Sequence, residues 1–344
     1  MPGTDQTETP ARPPRAFYTL GSGPYFLGLV ALINSLRLLE HAEPIFVLDC
    51  GFTELQRELL SAEATIVPLV EPVFPPLAKA VAPLLHPARQ MILIDADMIV
   101  LRPLSPLIEQ ATEGRVVAFA DPVSHRHDPR WSTLLGLPEL RRQPYVNGGF
   151  LIFSDASLPV LEEFNEFCRE LDPRNSAFES GSPANPFYYL DQDVFNAVLG
   201  TRFRREQVVI NEQRLAPHPP FEGLALKERR HTYADGTEPF LLHHAQPRKP
   251  WLTHSRSTVF SRRFTQLVDA PGLPLTPPID LVPWRLRRTG ARAAVARVYS
   301  SLLGRVAENR GRLGVRGRLH KLRVRKERGD NLKTDRSCIG PKGV

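Results

Sequence analysis

Cysteine is scarce: Cys50, Cys168 and Cys338 are the only three in 344 residues. They are too few and too scattered for a disulfide framework or a cysteine zinc site, and point to a reducing, cytoplasmic setting. No run approaches the roughly 18 apolar residues needed to span a bilayer. Met1–Arg15 is too polar to read as a signal peptide. No internal repeat is present. A basic excess is also missing from most of the chain. Residues 1–284 hold 26 Lys and Arg against 33 Asp and Glu, so no specific nucleic-acid surface is expected there. The net charge of +7 comes from Arg285 onward, where 18 basic residues face 4 acidic ones. What is abundant is apolar: 42% hydrophobic and 24% charged residues describe a globular chain with a sizeable core, excluding collagen and disorder throughout. The 34 prolines, about twice the usual share, cluster in connecting segments and at the N-terminus.

Residues 1–14 are polar and proline-rich and read as a disordered leader. Apolar patterning then predicts strands at Ala16–Leu20, Pro44–Asp49, Ala64–Pro68, Met91–Ile94, Arg115–Ala120, Gly149–Phe153 and Pro239–Leu242. Helices are predicted at Tyr25–Glu40, Thr53–Ala62, Leu158–Leu171 and Asp191–Leu199. Strands alternating with helices imply βαβ units and a mostly parallel sheet flanked by helices. Residues 15–268 are expected to form the folded body. Residues 269–284, with five prolines, read as a linker or a strap across that body, and 285–344 as a basic tail. In the tail, Val295, Val298, Tyr299, Leu302, Leu303 and Val306 make one apolar helix face, followed by the basic run Arg316–Arg328.

Four motifs carry candidate chemistry. Asp95-Ala96-Asp97 follows the buried strand Met91–Ile94. Two carboxylates one residue apart can share a hard divalent cation, and ligands gather at the carboxyl ends of strands in open α/β sheets. A solvated polar strand end has the same pattern. Asn147-Gly148-Gly149 leads into an apolar strand; it is either a tight turn or a place where a bulky ligand approaches the backbone beside a directed amide. Asp191-Gln192-Asp193 opens a helix, where Asp191 is either an N-cap or a polar group facing a cleft. His243-His244-Ala245-Gln246-Pro247-Arg248-Lys249-Pro250-Trp251 follows another strand end and offers an imidazole to a cation and a lysine to phosphate.

Taken in order, the strand-terminal DAD, NGGFLIF, DQDVFN and HHAQPRKPW resemble glycosyltransferase family 8, the retaining, metal-dependent nucleotide-sugar transferases that include glycogenin and bacterial galactosyltransferases. The opening Tyr18-Thr19-Leu20, with Tyr25, Gly28, Ser35 and Leu36, is similar to that family's nucleotide-gripping start. The resemblance covers roughly Ala16–Trp251 and implies a GT-A-type, Rossmann-like mixed sheet. It implies Asp95, Asp97 and His243 as ligands for Mn²⁺ or another divalent cation. It places Thr19, Leu20, Tyr25, Lys79, Ala96, Asn147, Gly148, Gly149, Gln246 and Lys249 around the donor, and Asp191 and Gln192 facing the anomeric carbon. Gly148-Gly149 replaces the family's Ser-Gly, Gln246 stands where the family has glycine, and Gly21-Ser22-Gly23-Pro24 lacks an acidic residue common near the base.

The resemblance therefore implies a hexosyltransferase with a nucleotide-sugar donor, UDP-sugar first among them, and a glycan or lipid-linked acceptor. The rivals are a degenerate, non-catalytic scaffold held at a membrane by its tail, and a glycoside hydrolase using Asp95 and Asp191. The basic tail is a solvated segment, a non-specific RNA binder or, because an amphipathic helix beside a polybasic run suits an anionic membrane surface, a membrane anchor; on the last reading the expected location is cytoplasmic and peripheral to a membrane.

Overall fold

The computed structural model describes residues 12–287, except 113, 180, 228–229, 247–248, 253–257 and 284–285. Most of the leader, Pro247, Arg248 and nearly all of the basic tail, including its apolar helix face, thus lie outside the described residues. Strand β1 (Arg15–Gly21) leads through a short turn into α1 (Phe26–Arg37), β2 (Ile45–Asp49), α2 (Glu54–Ser61) and β3 (Thr65–Pro68). There follow α3 (Val81–Leu85), β4 (Gln90–Ile94), β5 (Met98–Val100), α4 (Ser105–Ile108), β6 (Val116–Ala120), α5 (Arg130–Leu134), β7 (Val146–Ser154) and α6 (Leu158–Arg169). The remainder is α7 (Asp191–Arg202), β8 (Val208–Asn211), the hairpin β9 (Ala225–Lys227) and β10 (Arg230–Thr232), β11 (Leu241–His243) and α8 (Thr258–Val268).

Seven strands form one sheet in the order β3-β2-β1-β4-β7-β6-β8. β3, β2, β1 and β4 are mutually parallel, β7 runs antiparallel to both β4 and β6, and β8 pairs parallel with β6. This is the mixed, mostly parallel sheet the alternation predicts. Helices cover both faces, so β4 and β7 are buried almost throughout and read as continuous apolar runs. Alternate residues still divide between the faces. Phe17, Ile92 and Ile152 enter the core shared with α1 and α8, whereas Tyr18, Met91 and Phe153 enter the one shared with α6 and α7.

The reversal at β7 decides where the chemistry gathers. Because β7 runs against its neighbours, its first residues lie at the edge where β4 and β6 end. Asp95 after β4, Asp121 after β6 and Asn147 at the start of β7 converge there. Asp95 and Asp121 are fastened by backbone bonds to Gly149 and Tyr145 respectively.

Some boundaries differ from expectation. The first helix starts at Phe26, with Tyr25 in the preceding turn, and ends at Arg37; Glu40 then adopts φ 64°, which an α-helix cannot continue. From Asp269 the proline-rich stretch lies against the body. Asn34, fully buried in α1, donates to the carbonyls of Leu267 and Leu275 and accepts from the Leu275 N–H.

Candidate active site

Asp95-Ala96-Asp97 forms the turn between β4 and β5. The Asp95 N–H donates to Gly149 O at 2.8 Å, and the Met98 N–H to Asp95 O at 3.1 Å. Helix α1 packs directly on this turn. A Cβ at Gly28 would lie 2.5 Å from the Ala96 carbonyl oxygen and 2.8 Å from the Trp251 ring, so only glycine permits the approach. β5 then pairs antiparallel with β11, setting His243 opposite Met98, while the His244 N–H donates to Asp97 O. That ladder, between strands of three residues each, delivers His243 to the aspartates.

Ligand atoms of Asp95, Asp97 and His243 lie within 4.8 Å of one another. His243 Nε2 is 3.3 Å from Asp97 Oδ1 and 4.0 Å from Asp95 Oδ2. Asp97 Oδ1 is nonetheless buried with no hydrogen-bond partner among the described residues, a costly state that a bound cation relieves. Gly149 leaves the necessary room. A Cβ there would stand 2.8 Å from Asp95 Oδ2 and 2.7 Å from His243 Cε1. Two carboxylates and an imidazole are the mixed oxygen and nitrogen set that suits Mn²⁺ or a similar divalent ion. The residues fit such an ion.

Two lysines flank the group, Lys249 buried and Lys79 partly so. Lys249 ion-pairs with Asp97 Oδ2 and donates to His244 O at 2.6 Å, with its Nζ 5.8 Å from the centre of the Tyr25 ring. Burial tends to raise the Asp97 pKa, but Lys249 and then His243 outweigh it and hold the carboxyl far below its usual range. Lys79 bridges Asp95 Oδ1 at 3.0 Å and Asp191 Oδ2 at 2.9 Å, and donates to Gly148 O at 2.8 Å. Burial disfavours the Lys79 charge, yet Asp191 and Asp95 together raise its pKa above the ordinary lysine value. Asp191 is raised, chiefly by burial, with Lys79 opposing. Asp95, Asp97 and Asp191 are three carboxylates paired with two ammonium groups, and Asp121 sits behind them on the Gln192 amide.

Beside Asp191, Gln192 and Asn147 form a tight amide network. Gln192 Oε1 accepts from Gly148 N at 2.9 Å and from Asn147 Nδ2 at 3.2 Å. Asn147 Nδ2 and Gln192 Nε2 both donate to Asp121 Oδ2, while Asn147 Oδ1 accepts from Gly149 N. Asp191 is the first residue of α7 and not its N-cap. Leu190 holds that place at φ 47°, ψ −119°, a conformation strained for a side chain of this size. Asp193 is fully buried and accepts from Arg126 Nε and Nη2, Tyr145 Oη and Tyr189 N, which pins the strained turn.

The structure thus brings together Lys79, Asp95, Ala96, Asp97, Asn147, Gly148, Gly149, Asp191, Gln192, His243 and Lys249, with Tyr25 beside Lys249. Thr19 and Leu20 lie in neighbouring β1; Thr19 Oγ1 is buried with no hydrogen-bond partner among the described residues, and Leu20 is partly buried against the core. Gln246 is exposed. Sequence reasoning missed Asp121, although it follows a predicted strand just as Asp95 does. It also missed Arg126 and His218, which no local pattern marks.

No protein-family model matches the sequence, and no curated protein does. Among solved structures, the apo form of the bifunctional glycosyltransferase WbbM matches with a TM-score of 0.51 and 15% identity, over 82% of this chain and 53% of that one. The apo form of glycosyltransferase GlyE from Streptococcus pneumoniae TIGR4 matches with a TM-score of 0.50 and 15% identity, over 74% and 60%. Galactosyltransferase LgtC, in complex with donor and acceptor sugar analogs, matches with a TM-score of 0.47 and 17% identity, over 75% and 98%. The chain spans about half the length of WbbM. Its fold is the GT-A arrangement of the WbbM and GlyE glycosyltransferases.

Proposed function

We propose that the protein is a retaining glycosyltransferase that moves a hexose from a nucleotide-sugar, most naturally a UDP-sugar, to a hydroxyl of a glycan or lipid-linked acceptor. The observation carrying this reading is the convergence of Asp95, Asp97 and His243 with Lys79, Lys249, Asp191 and Gln192 at the carboxyl edge of the sheet. Asp95, Asp97 and His243 would hold a divalent cation, which would supply positive charge where the diphosphate leaves.

The chain's own residues account for the rest. Lys249, ion-paired with Asp97 and 5.8 Å from the centre of the Tyr25 ring, places positive charge where a diphosphate enters beside Tyr25. The carboxylate of Asp191 faces the positive charge that develops on the anomeric carbon, and the Lys79 ammonium 2.9 Å away opposes the upward pull of burial on its pKa. Gln192 and Asn147 are held by Gly148 and Asp121 before any ligand arrives, so they orient the sugar without reorganising. Glycine at 148 and 149 lets Gln192, Asp95 and His243 pack directly against the strand that carries Asn147.

Among the described residues no helix is long and apolar enough to cross a membrane. We place the enzyme in the cytoplasm, drawn to an anionic membrane by its basic tail. Incubating the full chain with UDP-, GDP- and TDP-sugars plus Mn²⁺, and following nucleotide release, tests the function. Release with one donor that stops in excess EDTA supports it; undiminished turnover in EDTA rejects it.

A further inference from the structure

His243 has two ring nitrogens, and only one faces the carboxylates. Nε2 points toward Asp97 and Asp95; Nδ1 lies on the opposite side, 3.1 Å from Nε2 of His218. The rings meet edge to face, with centroids 4.5 Å apart and planes at 76°. That distance holds one proton between the nitrogens, so one imidazole donates and the other accepts.

We propose that His218 is the positioning residue of the candidate metal centre, its Nε2 accepting the Nδ1–H of His243 and thereby holding the Nε2 lone pair of His243 toward Asp95 and Asp97. A neutral imidazole carries one ring proton, and a metal needs the nitrogen without it. Ligating histidines generally donate their other N–H to an acceptor, which fixes both tautomer and ring angle. His218 is the acceptor the structure supplies. Its own place is set by the backbone on either side. The His243 N–H donates to Pro217 O at 3.1 Å, and the Phe221 N–H to His218 O at 2.9 Å. Phe221, buried at φ 58°, stacks on Phe260 in the core. Loop and ligand strand therefore hold each other, and His218 cannot swing away without breaking both.

This inference rests on the metal reading above, and the test separates the two. Mn²⁺ binding to the full chain is measured by calorimetry and by the free-ion EPR signal for wild type, His218→Gln, His218→Phe and Asp97→Asn. The Gln carbonyl can still accept from His243, whereas Phe fills the space without accepting. Expected are about 10- to 100-fold weaker binding for His218→Phe and near wild-type affinity for His218→Gln. Wild-type affinity in both His218 variants, or equal weakening in both, overturns the positioning role. No Mn²⁺ binding by wild type, or unchanged binding in Asp97→Asn, rejects the metal reading itself. Nitrogen-15 correlation spectra of the histidine rings in unmutated protein with diamagnetic Mg²⁺ provide a check independent of any variant's folding. His243 should appear as the Nδ1–H tautomer, and the Nε2–H tautomer would overturn the proposal.

Discussion

The backbone N–H of Asp95 donates to the carbonyl of Gly149 across 2.8 Å, welding the end of β4 to the start of β7. Through this bond the carboxylate motif and the glycine motif become one site. Gly149 is consequently more than a turn residue, since it is the floor on which Asp95 and His243 meet.

Gly149→Ala should therefore act on the site before the fold. Its Cβ would stand 2.8 Å from Asp95 Oδ2 and 2.6 Å from Met98 Cε, so the carboxylate and the thioether must move aside. We expect at least about a tenfold loss of Mn²⁺ affinity, equivalent to about 1.4 kcal/mol, with only a small drop in melting temperature. Calorimetric Mn²⁺ titration beside a thermal melt checks this; unchanged affinity would show that the crowding is relieved elsewhere.

Asp97→Asn should lower nucleotide release at least about 10²-fold, because one ligand is lost where leaving-group charge develops. It should also change the acid response. The Asp97 pKa is lowered in the folded state, so its contribution to stability is full above the unfolded carboxyl value near 3.9 and fades as pH falls below it. Stability curves in denaturant at pH 7 and well below the unfolded carboxyl value, at about pH 2–3, should converge for the two proteins. Parallel curves would contradict the assignment.

Lys79→Met strands two carboxylates. Asp191 is buried and loses its counter-cation, a loss on the order of 3–5 kcal/mol when one member of a buried pair is removed. The double variant Lys79→Met/Asp191→Leu should recover part of that stability while remaining inactive. If the double variant is less stable than Lys79→Met alone, the pair is not the main contribution of Lys79.

His231, buried in β10, is pushed down to about 4, by burial first and Arg263 second. The unfolded chain takes up that proton near the ordinary value of about 6.5. Stability due to this site is therefore complete above about pH 6.5 and declines toward pH 4, at roughly tenfold in the folding constant per pH unit for one proton. His231→Gln should flatten the loss between these limits. Identical pH profiles for variant and wild type would rule it out.

Cutting the chain after Arg287 tests the tail. Leu286 packs on the core and Arg287 donates to Val282 O, so the body keeps these contacts. Donor hydrolysis should persist, whereas co-sedimentation with anionic vesicles at low salt should be lost, each basic residue near the surface contributing about 1 kcal/mol. Full-length protein that ignores such vesicles disproves membrane attachment; parallel losses of melting temperature and hydrolysis would show that the tail supports the body.

Much of this was legible before folding. Short continuous apolar runs such as Met91–Ile94 and Gly149–Phe153 announce buried strands, because a strand covered on both faces admits no polar alternation. β5 and β11 escaped notice or full definition because three residues contain no period. α8 did carry a signal, since Phe260 and Phe264 lie one turn apart and both are buried, but the surrounding polar residues hid it.

By itself the sequence determined the helix and strand alternation, the DAD, NGG, DQ and histidine–lysine motifs, and the division of charge between body and tail. These depend on local pattern and composition. Only the tertiary structure decided which groups meet. The antiparallel turn of β7 set Asn147 beside Asp121, and the β5–β11 ladder carried His243 to Asp97. Lys79 reached Asp191, and His218 reached His243, across chain separations that no periodicity encodes. Such pairings follow from strand order and burial, because a buried charge or imidazole is tolerated only where the fold supplies its partner.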